Sequence, residues 1–396
     1  MEFAPWPFFG DEEIQASLRV LKSGKVNQWT GTETVSFENE FSSYIGTRYA
    51  VALANGSLAL DLALMALEIG KGDEVVVTPR SFVASVSCVC LRGATPVFVD
   101  VDPETQNITF ENISKAVSQR TKAVILVHLA GWPGELEKIQ TFCQQKGIAL
   151  IEDCAQAHGA SFAGKKAGSF GDCSIYSFCQ DKIMTTGGEG GMLLTNQKEI
   201  WEKVWSFKDH GKKYDKAFSK GKEPGFHWAI ESFGTNCRMT ELQSAIGRVM
   251  LKKLDTWVET RRQYADLLTE GFKKIPGLRV TVPPPEIYHS YYKYYVFVNP
   301  EELKETWTRN SIIKALNEKN IPCITGSCPE IYRENAFKNG LYRLHGTSEN
   351  KDENYLPVAR QLGETSIMFM VHPTLTLESI HYVLDQVRDV MKKACR

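Results

Sequence analysis

The chain has 396 residues, enough for a large domain and a smaller one, and its formal net charge is -1 at pH 7. That balance excludes a general nucleic-acid binder, which needs an excess of lysine and arginine to neutralise phosphates. No apolar run approaches the roughly 18 residues of a membrane span, MEFAPWPFFGDEE lacks a secretory pattern, and the ten cysteines show no metal-ligand spacing, so a reduced, soluble, cytoplasmic protein without a metal is expected.

The stretch EEIQASLRVLKSG predicts a first helix with Asp11 as N-cap, Ile14, Leu18 and Leu21 on one face, and Gly24 as its stop. Five aliphatic runs follow, AVALAN, DEVVVTP, TPVFVDVD, KAVILVHLAG and GIALIEDCA, with charges only at their ends. Such runs suit strands buried on both faces, and the helical stretches between them, SLALDLALMALEIG, SFVASVSCVCLRG and GELEKIQTFCQQKG, have the length of crossovers. Residues 1–251 are therefore predicted to form an α/β domain around a mostly parallel sheet. Ligands collect beyond the carboxyl ends of such strands, where Asn55, Pro79, His128 and Asp153 fall. Residues 252–396 change character. A long charged helical stretch, the tyrosine-rich strand SYYKYYVFVN, a helix around Ser311 to Asn317 and a final amphipathic helix from Leu377 to Met391 predict a smaller α+β domain.

The chemistry concentrates in two segments. LIEDCAQAHGA ends a buried strand in Asp153, and about thirty residues on, SIYSFCQDKIMTTGGEGGM carries Lys182. An amine able to form a Schiff base, downstream of a carboxylate able to keep a pyridine nitrogen protonated, is what pyridoxal phosphate chemistry requires. A solvated loop lysine would not account for the upstream aspartate. Gln156 is placed to reach the ring hydroxyl, Phe82 to stack on the ring, and Gly56, Ser57 and Ser177 to receive a phosphate. Each has a plainer reading: a capping turn for Asn55-Gly56-Ser57, a core aromatic for Phe82, a turn residue for Glu189 among the glycines. For His158 a satisfied core histidine is the preferred one.

From SGKVNQWTG and FENEFSSYIGTRYAVALANGSLAL through IEDCAQAHGA, SFCQDKIMTTGGEGGM and FGTNCRMTELQSAIG to SIMFMVHP, the chain resembles the DegT/StrS family of pyridoxal-phosphate-dependent nucleotide-sugar aminotransferases. The resemblance implies the type I, aspartate-aminotransferase-like fold. It implies that Lys182 is the Schiff-base lysine, that Asp153 pairs with the pyridine nitrogen, that Gln156 lies against the ring hydroxyl and Phe82 on the ring, and that Gly56, Ser57 and Ser177 hold the phosphate. Asn236 would reach the phosphate from the partner subunit, giving a homodimer with shared active sites; its plainer reading is the N-cap of the helix at RMTELQSAIG. His210 and Glu189 are implied as substrate contacts, whereas for Arg238 and Tyr294 a structural role is preferred.

The implied reaction moves an amino group from L-glutamate to a nucleotide-linked keto sugar, leaving 2-oxoglutarate. A free keto-cyclitol or keto-polyol as acceptor, or a non-catalytic protein that keeps the fold, are the alternatives. Three residues depart from the family pattern: Ser57 stands where many relatives have threonine, a glycine is added beside Glu189, and Cys179 follows Ser-Phe. Relatives that use the cofactor for dehydration carry histidine in place of the lysine, so Lys182 favours transamination. Specificity is expected from the loops Lys212 to Gly225 and Ser327 to Asn350, with aromatic surfaces from Tyr291 to Tyr295.

Overall fold

The computed structural model describes residues 1–218, 228–338, 340, 342–345 and 355–396. An eight-stranded sheet runs through its centre in the order Tyr49–Leu53, Gly191–Thr195, Cys173–Ser177, Ala149–Asp153, Thr121–Val127, Glu74–Val77, Thr95–Val99 and Arg343–His345. Gly191–Thr195 is antiparallel to both its neighbours. The other pairings are parallel, as expected for this α/β fold. All five aliphatic runs became strands of this sheet, and the helices between them shield its faces.

Two further strands were not anticipated from the sequence: Cys173–Ser177 and Gly191–Thr195, which pair with each other so that Ser177 faces Gly191. Together they clamp the segment carrying Lys182. The last strand of the sheet, Arg343–His345, arrives from the C-terminal part of the chain. Its Arg343 guanidinium lies 2.6 Å from the buried Glu74 carboxylate, which also takes Arg120 at 2.6 Å and the Ser118 hydroxyl.

A second, four-stranded antiparallel sheet joins Leu278–Val280, Tyr294–Val298, Ser366–Phe369 and Cys323–Ile324. Between the two sheets runs the helix Glu241–Phe272, 32 residues long. Its Ile246, Met250, Leu254 and Val258 pack with Phe37, Phe41 and Tyr176, whereas Ala265, Leu268 and Phe272 pack into the core of the second sheet. The boundary expected at 251 thus falls inside a continuous helix, and we propose that the two domains meet further along it, between Val258 and Tyr264.

Two helix assignments need correction. The first helix, Asp11–Ser23, is capped by Gly10 rather than Asp11, and it buries Glu13, Ala16 and Val20 while Ile14 and Leu21 face outward. Small Ala16 and Val20 let it lie close on Ala245 and Leu242 of the long helix, and Lys253 reaches the buried Glu13 carboxylate at 2.6 Å. At the start of the long helix the cap is Thr240, not Asn236: its hydroxyl accepts from the Gln243 N–H while the Gln243 side chain returns to the Thr240 N–H.

Close approach of Glu33–Ile45 to the long helix depends on Gly247, where an added Cβ would stand 2.7 Å from the fully buried Phe37 ring. Alanine would gain roughly 1 kcal/mol of helix propensity, but overpacking a core costs about 1–3 kcal/mol. The clash should win. Gly247→Ala is expected to lower stability by about 1 kcal/mol, seen in urea titration as a lower midpoint with unchanged slope.

Candidate active site

Asp153 is the last residue of its strand and only 3% exposed. The Ser85 hydroxyl donates to its Oδ2 at 2.7 Å, and the Ala155 N–H to its Oδ1 at 3.1 Å. Burial pushes its carboxyl above the usual range, opposed by Ser85, by the Ala155 N–H and by the charge of Lys182. Among the described residues no cation forms an ion pair with it.

The neighbouring strand Cys173–Ser177 places Ile175 opposite Asp153, so the chain leaves the sheet at Ser177 close to that carboxylate. A short loop then brings back Lys182. Its side chain is 15% exposed, with Nζ 4.9 Å from the centre of the Tyr292 ring and 3.9 Å from Asp181 Oδ1. The Trp6 indole donates to the Lys182 carbonyl at 2.8 Å, tying the N-terminal segment to this loop.

On the side of Ser177, two glycines allow tight contact. A Cβ on Gly56 would stand 2.9 Å from Ser177 Cβ, and one on Gly191 would run into the backbone of Asn55. The helix Gly56–Ala66 therefore begins directly against Ser177. Asn55 caps it by accepting from the Leu58 N–H, which leaves the earlier amides of the first turn directed at the same space as the exposed Ser57. The Ser177 hydroxyl accepts from the Cys179 N–H at 3.3 Å. Gln156 is buried, its Oε1 fixed by the Ala130 N–H at 2.8 Å. Phe82, far from being core, is 66% exposed.

This donor set suits pyridoxal phosphate. A buried carboxylate without a paired cation matches a protonated pyridine nitrogen, an open aromatic face matches a flat ring, and hydroxyls at a helix N-terminus match a phosphate.

Other expected residues make contacts of their own. Asn236 is exposed, its Oδ1 accepting from the Arg238 N–H at 3.3 Å. His210 is exposed with a positive φ of 61°, and Arg238 Nη1 is held by the buried Asp209 at 2.9 Å. The Glu189 carbonyl accepts from Thr186 and Gln243, and its carboxylate meets the Cys179 thiol at 3.9 Å. Tyr294 is a core residue of the second sheet, its hydroxyl on Thr269 at 2.9 Å. Of the expected specificity loops, residues 219–225, 339, 341 and 346–350 lie outside the described residues. The aromatic surface expected from Tyr291 to Tyr295 is absent, because strand pairing and the long helix bury all four tyrosines. Tyr292 instead presents its ring to Lys182.

His158 is fully buried against Tyr176 and Phe178, as a core residue would be, yet neither ring nitrogen has a hydrogen-bond partner. Several neighbours escaped the sequence reading, Ser85, Asp181, Arg261 and Trp6, and Tyr292 and Lys293 were met there only as part of an aromatic segment. No local pattern marks them, since they meet only through the fold.

The sequence model of the DegT/DnrJ/EryC1/StrS aminotransferase family matches residues 8–388. The chain is similar to the dTDP-3-amino-3,6-dideoxy-alpha-D-galactopyranose transaminase of Aneurinibacillus thermoaerophilus, 32% identical over 381 residues that span 95% of this chain and 94% of the relative. Among solved structures it is similar to an aminotransferase from Psychrobacter cryohalolentis, 47% identical with a TM-score of 0.94 over 99% of both chains. It is also similar to the E. coli GDP-4-keto-6-deoxy-D-mannose-3-dehydratase with bound hydrated PLP, 26% identical with a TM-score of 0.86, covering 96% of this chain and 97% of that one.

Burial first, and the Lys182 charge second, hold the His158 pKa down to about 3. In the unfolded chain the imidazole regains its ordinary value near 6.5. Below that value the unfolded chain takes up a proton that the folded one refuses, so stability falls as pH falls, by up to about 1.4 kcal/mol per pH unit. His158→Gln should remove one such proton from the slope between about pH 6 and 4.5, measured as the pH dependence of the urea unfolding free energy.

Proposed function

Because the chain belongs to the DegT/DnrJ/EryC1/StrS aminotransferase family, we propose that it transfers the amino group of L-glutamate to a keto sugar carried on a nucleoside diphosphate, releasing 2-oxoglutarate and an amino sugar nucleotide. It is a pyridoxal-phosphate-dependent enzyme, and no helix among its described residues is long and apolar enough to cross a membrane. We place it in the cytoplasm, where its ten free cysteines would stay reduced.

The observation that carries the reading is an amine and an unpaired buried carboxylate brought together at the ends of adjoining strands. Pyridoxal phosphate, when bound, supplies an electron sink for charge at the carbon that carries the amino group. Asp153, fixed through both carboxylate oxygens, is the group for the ring nitrogen and holds a proton there. Phe82 offers the stacking face. Gln156, with Oε1 already engaged, turns its amide nitrogen to the ring hydroxyl. Gly56, Ser57 and Ser177 receive the phosphate. Lys182 Nζ would be the amine that holds the cofactor and the group that moves the proton at the amino-donor α-carbon.

Asn236 is exposed, as are Ile230 and Phe233 earlier in the same segment, which supports a role for this segment in contact with a second copy of the chain. In this reading the chain acts as a homodimer in which Asn236 reaches the partner's phosphate. His210 and Glu189 remain candidate substrate contacts.

A screen of nucleotide-linked keto sugars for glutamate-dependent amination tests the reading. Turnover of at least one is expected, and Lys182→Ala should lower it by about ten-thousand-fold or more, the upper end of what a positioned acid–base group contributes. Turnover of a free keto-cyclitol alone would replace the nucleotide-sugar assignment; an active Lys182→Ala would end the transaminase one.

Mixing inactive Lys182→Ala with inactive Asn236→Asp protomers should restore part of the activity through heterodimers with one intact site. No recovery, once subunit exchange is confirmed, would count against shared sites.

A further inference from the structure

Around Lys182 the fold gathers more positive charge than the reaction scheme accounts for. Lys293 lies just before the strand Tyr294–Val298, with Nζ 4.6 Å from the centre of the same Tyr292 ring that Lys182 faces. Arg261, from the long helix, is almost fully buried over the Trp6 ring and donates through Nη1 to the carbonyls of Tyr291 and Tyr292, while its Nε and Nη2 have no hydrogen-bond partner among the described residues. Against these three cations stands one carboxylate on the same side, that of Asp181. It lies 3.9 Å from Lys182 Nζ and 3.9 Å from Lys293 Nζ, and the Tyr292 hydroxyl donates to it.

We propose that Asp181, oriented by Tyr292, is a positioning residue for amino transfer: it is the counter-ion shared by Lys182 and Lys293, and it keeps the freed Lys182 amine able to hold a proton beside two other cations. The inference rests on the transaminase reading above. Asp181 ties the buried Tyr292 hydroxyl to the loop, and with its side chain 55% exposed it is also open to the space beside Lys182. Its own titration agrees: burial would raise the carboxyl, but Lys182, the Tyr292 hydroxyl and Lys293 outweigh it and hold it ionised. Lys293, pushed down to about 8 by burial, is only partly rescued by Asp181.

The remaining groups that face the cluster do not substitute for that carboxylate. His372, stacked on Trp6, is held neutral with a pKa of about 3 by burial and by Arg261 and Lys293. His158 is neutral as well, and Asp153, although the Lys182 charge acts on it, has its oxygens bound to Ser85 and Ala155. Without Asp181, the freed Lys182 would meet Lys293 and Arg261 with no carboxylate among the described residues in an ion pair with either lysine. Like charges at such range lower a lysine pKa by about one unit or more.

The test is NMR titration of the holoenzyme labelled with 13C at lysine Cε and loaded with pyridoxamine phosphate, in which Lys182 is free. Its signal and that of Lys293 are assigned with Lys182→Arg and Lys293→Arg. Asp181→Asn should lower both midpoints by about one pH unit or more, Asp181→Glu should restore most of the shift, and Tyr292→Phe should produce a smaller fall in the same direction. The kcat–pH profile should move with the Lys182 midpoint. An Asp181→Asn enzyme with an unmoved Lys182 midpoint would overturn the inference, and if that variant does not fold, an unmoved midpoint in Tyr292→Phe does so. Neither result touches the transaminase reading, which fails only if Lys182→Ala remains active.

Discussion

A carboxylate buried at the end of a central strand, with two fixed donors and no cation paired to it among the described residues, is the constraint around which this molecule is arranged. Such a group is expensive to keep unless something positive is brought to it. The strand order supplies the place, because Cys173–Ser177 lies beside Asp153 and releases the chain toward Lys182. Glycine at 56 and 191 then lets a helix start, and with it a set of free amides, press against the same strand end. One edge of the cavity is therefore anionic and the other is built to receive an anion. A ligand that is cationic at its ring and anionic at its tail satisfies both.

Much of this was legible in the sequence wherever a single element carries the message. Continuous aliphatic runs ending in Asn55, His128 and Asp153 gave the sheet and the direction of its ligand side, since burial on both faces leaves no polar positions within the run. The first helix misled because burial was judged by size: Ile14 and Leu21 face out, and the small residues Ala16 and Val20 make the contact, since close helix packing rewards small side chains. Glu33–Ile45 went unread although Phe37, Phe41 and Ile45 recur every four residues before Gly46, a helical signature that was there to find. Ser85, Tyr292 and Arg261 could not be found that way, because what gives them meaning is a neighbour in space from another element.

The tyrosine-rich segment shows the same limit in chemical terms. Aromatic density suggested a surface for a bulky ligand. The antiparallel pairing with Ser366–Phe369 instead sends Tyr294 and Tyr295 into two different cores, and the ring of Tyr292 becomes a floor for two ammonium groups. A chain with a net charge of -1 can hold so basic a centre because charge is balanced over the whole surface and not at the site. Lys208, fully buried with Nζ on the Gln28 amide at 2.8 Å, is another cation that the overall balance conceals.

The strand Arg343–His345 has a consequence for how the protein comes into being. It lies at the edge of the large sheet, yet it is separated from its neighbour Thr95–Val99 by more than half of the chain. On the ribosome the first seven strands are finished long before their outermost companion emerges, so for that interval Thr95–Val99 is an open edge and Glu74 lacks one of its two arginines. Completion of the large domain is thereby coupled to synthesis of the small one. The nascent chain must wait for nearly its whole length before the sheet can close, which makes this edge the place where a stalled or shortened product would meet other chains.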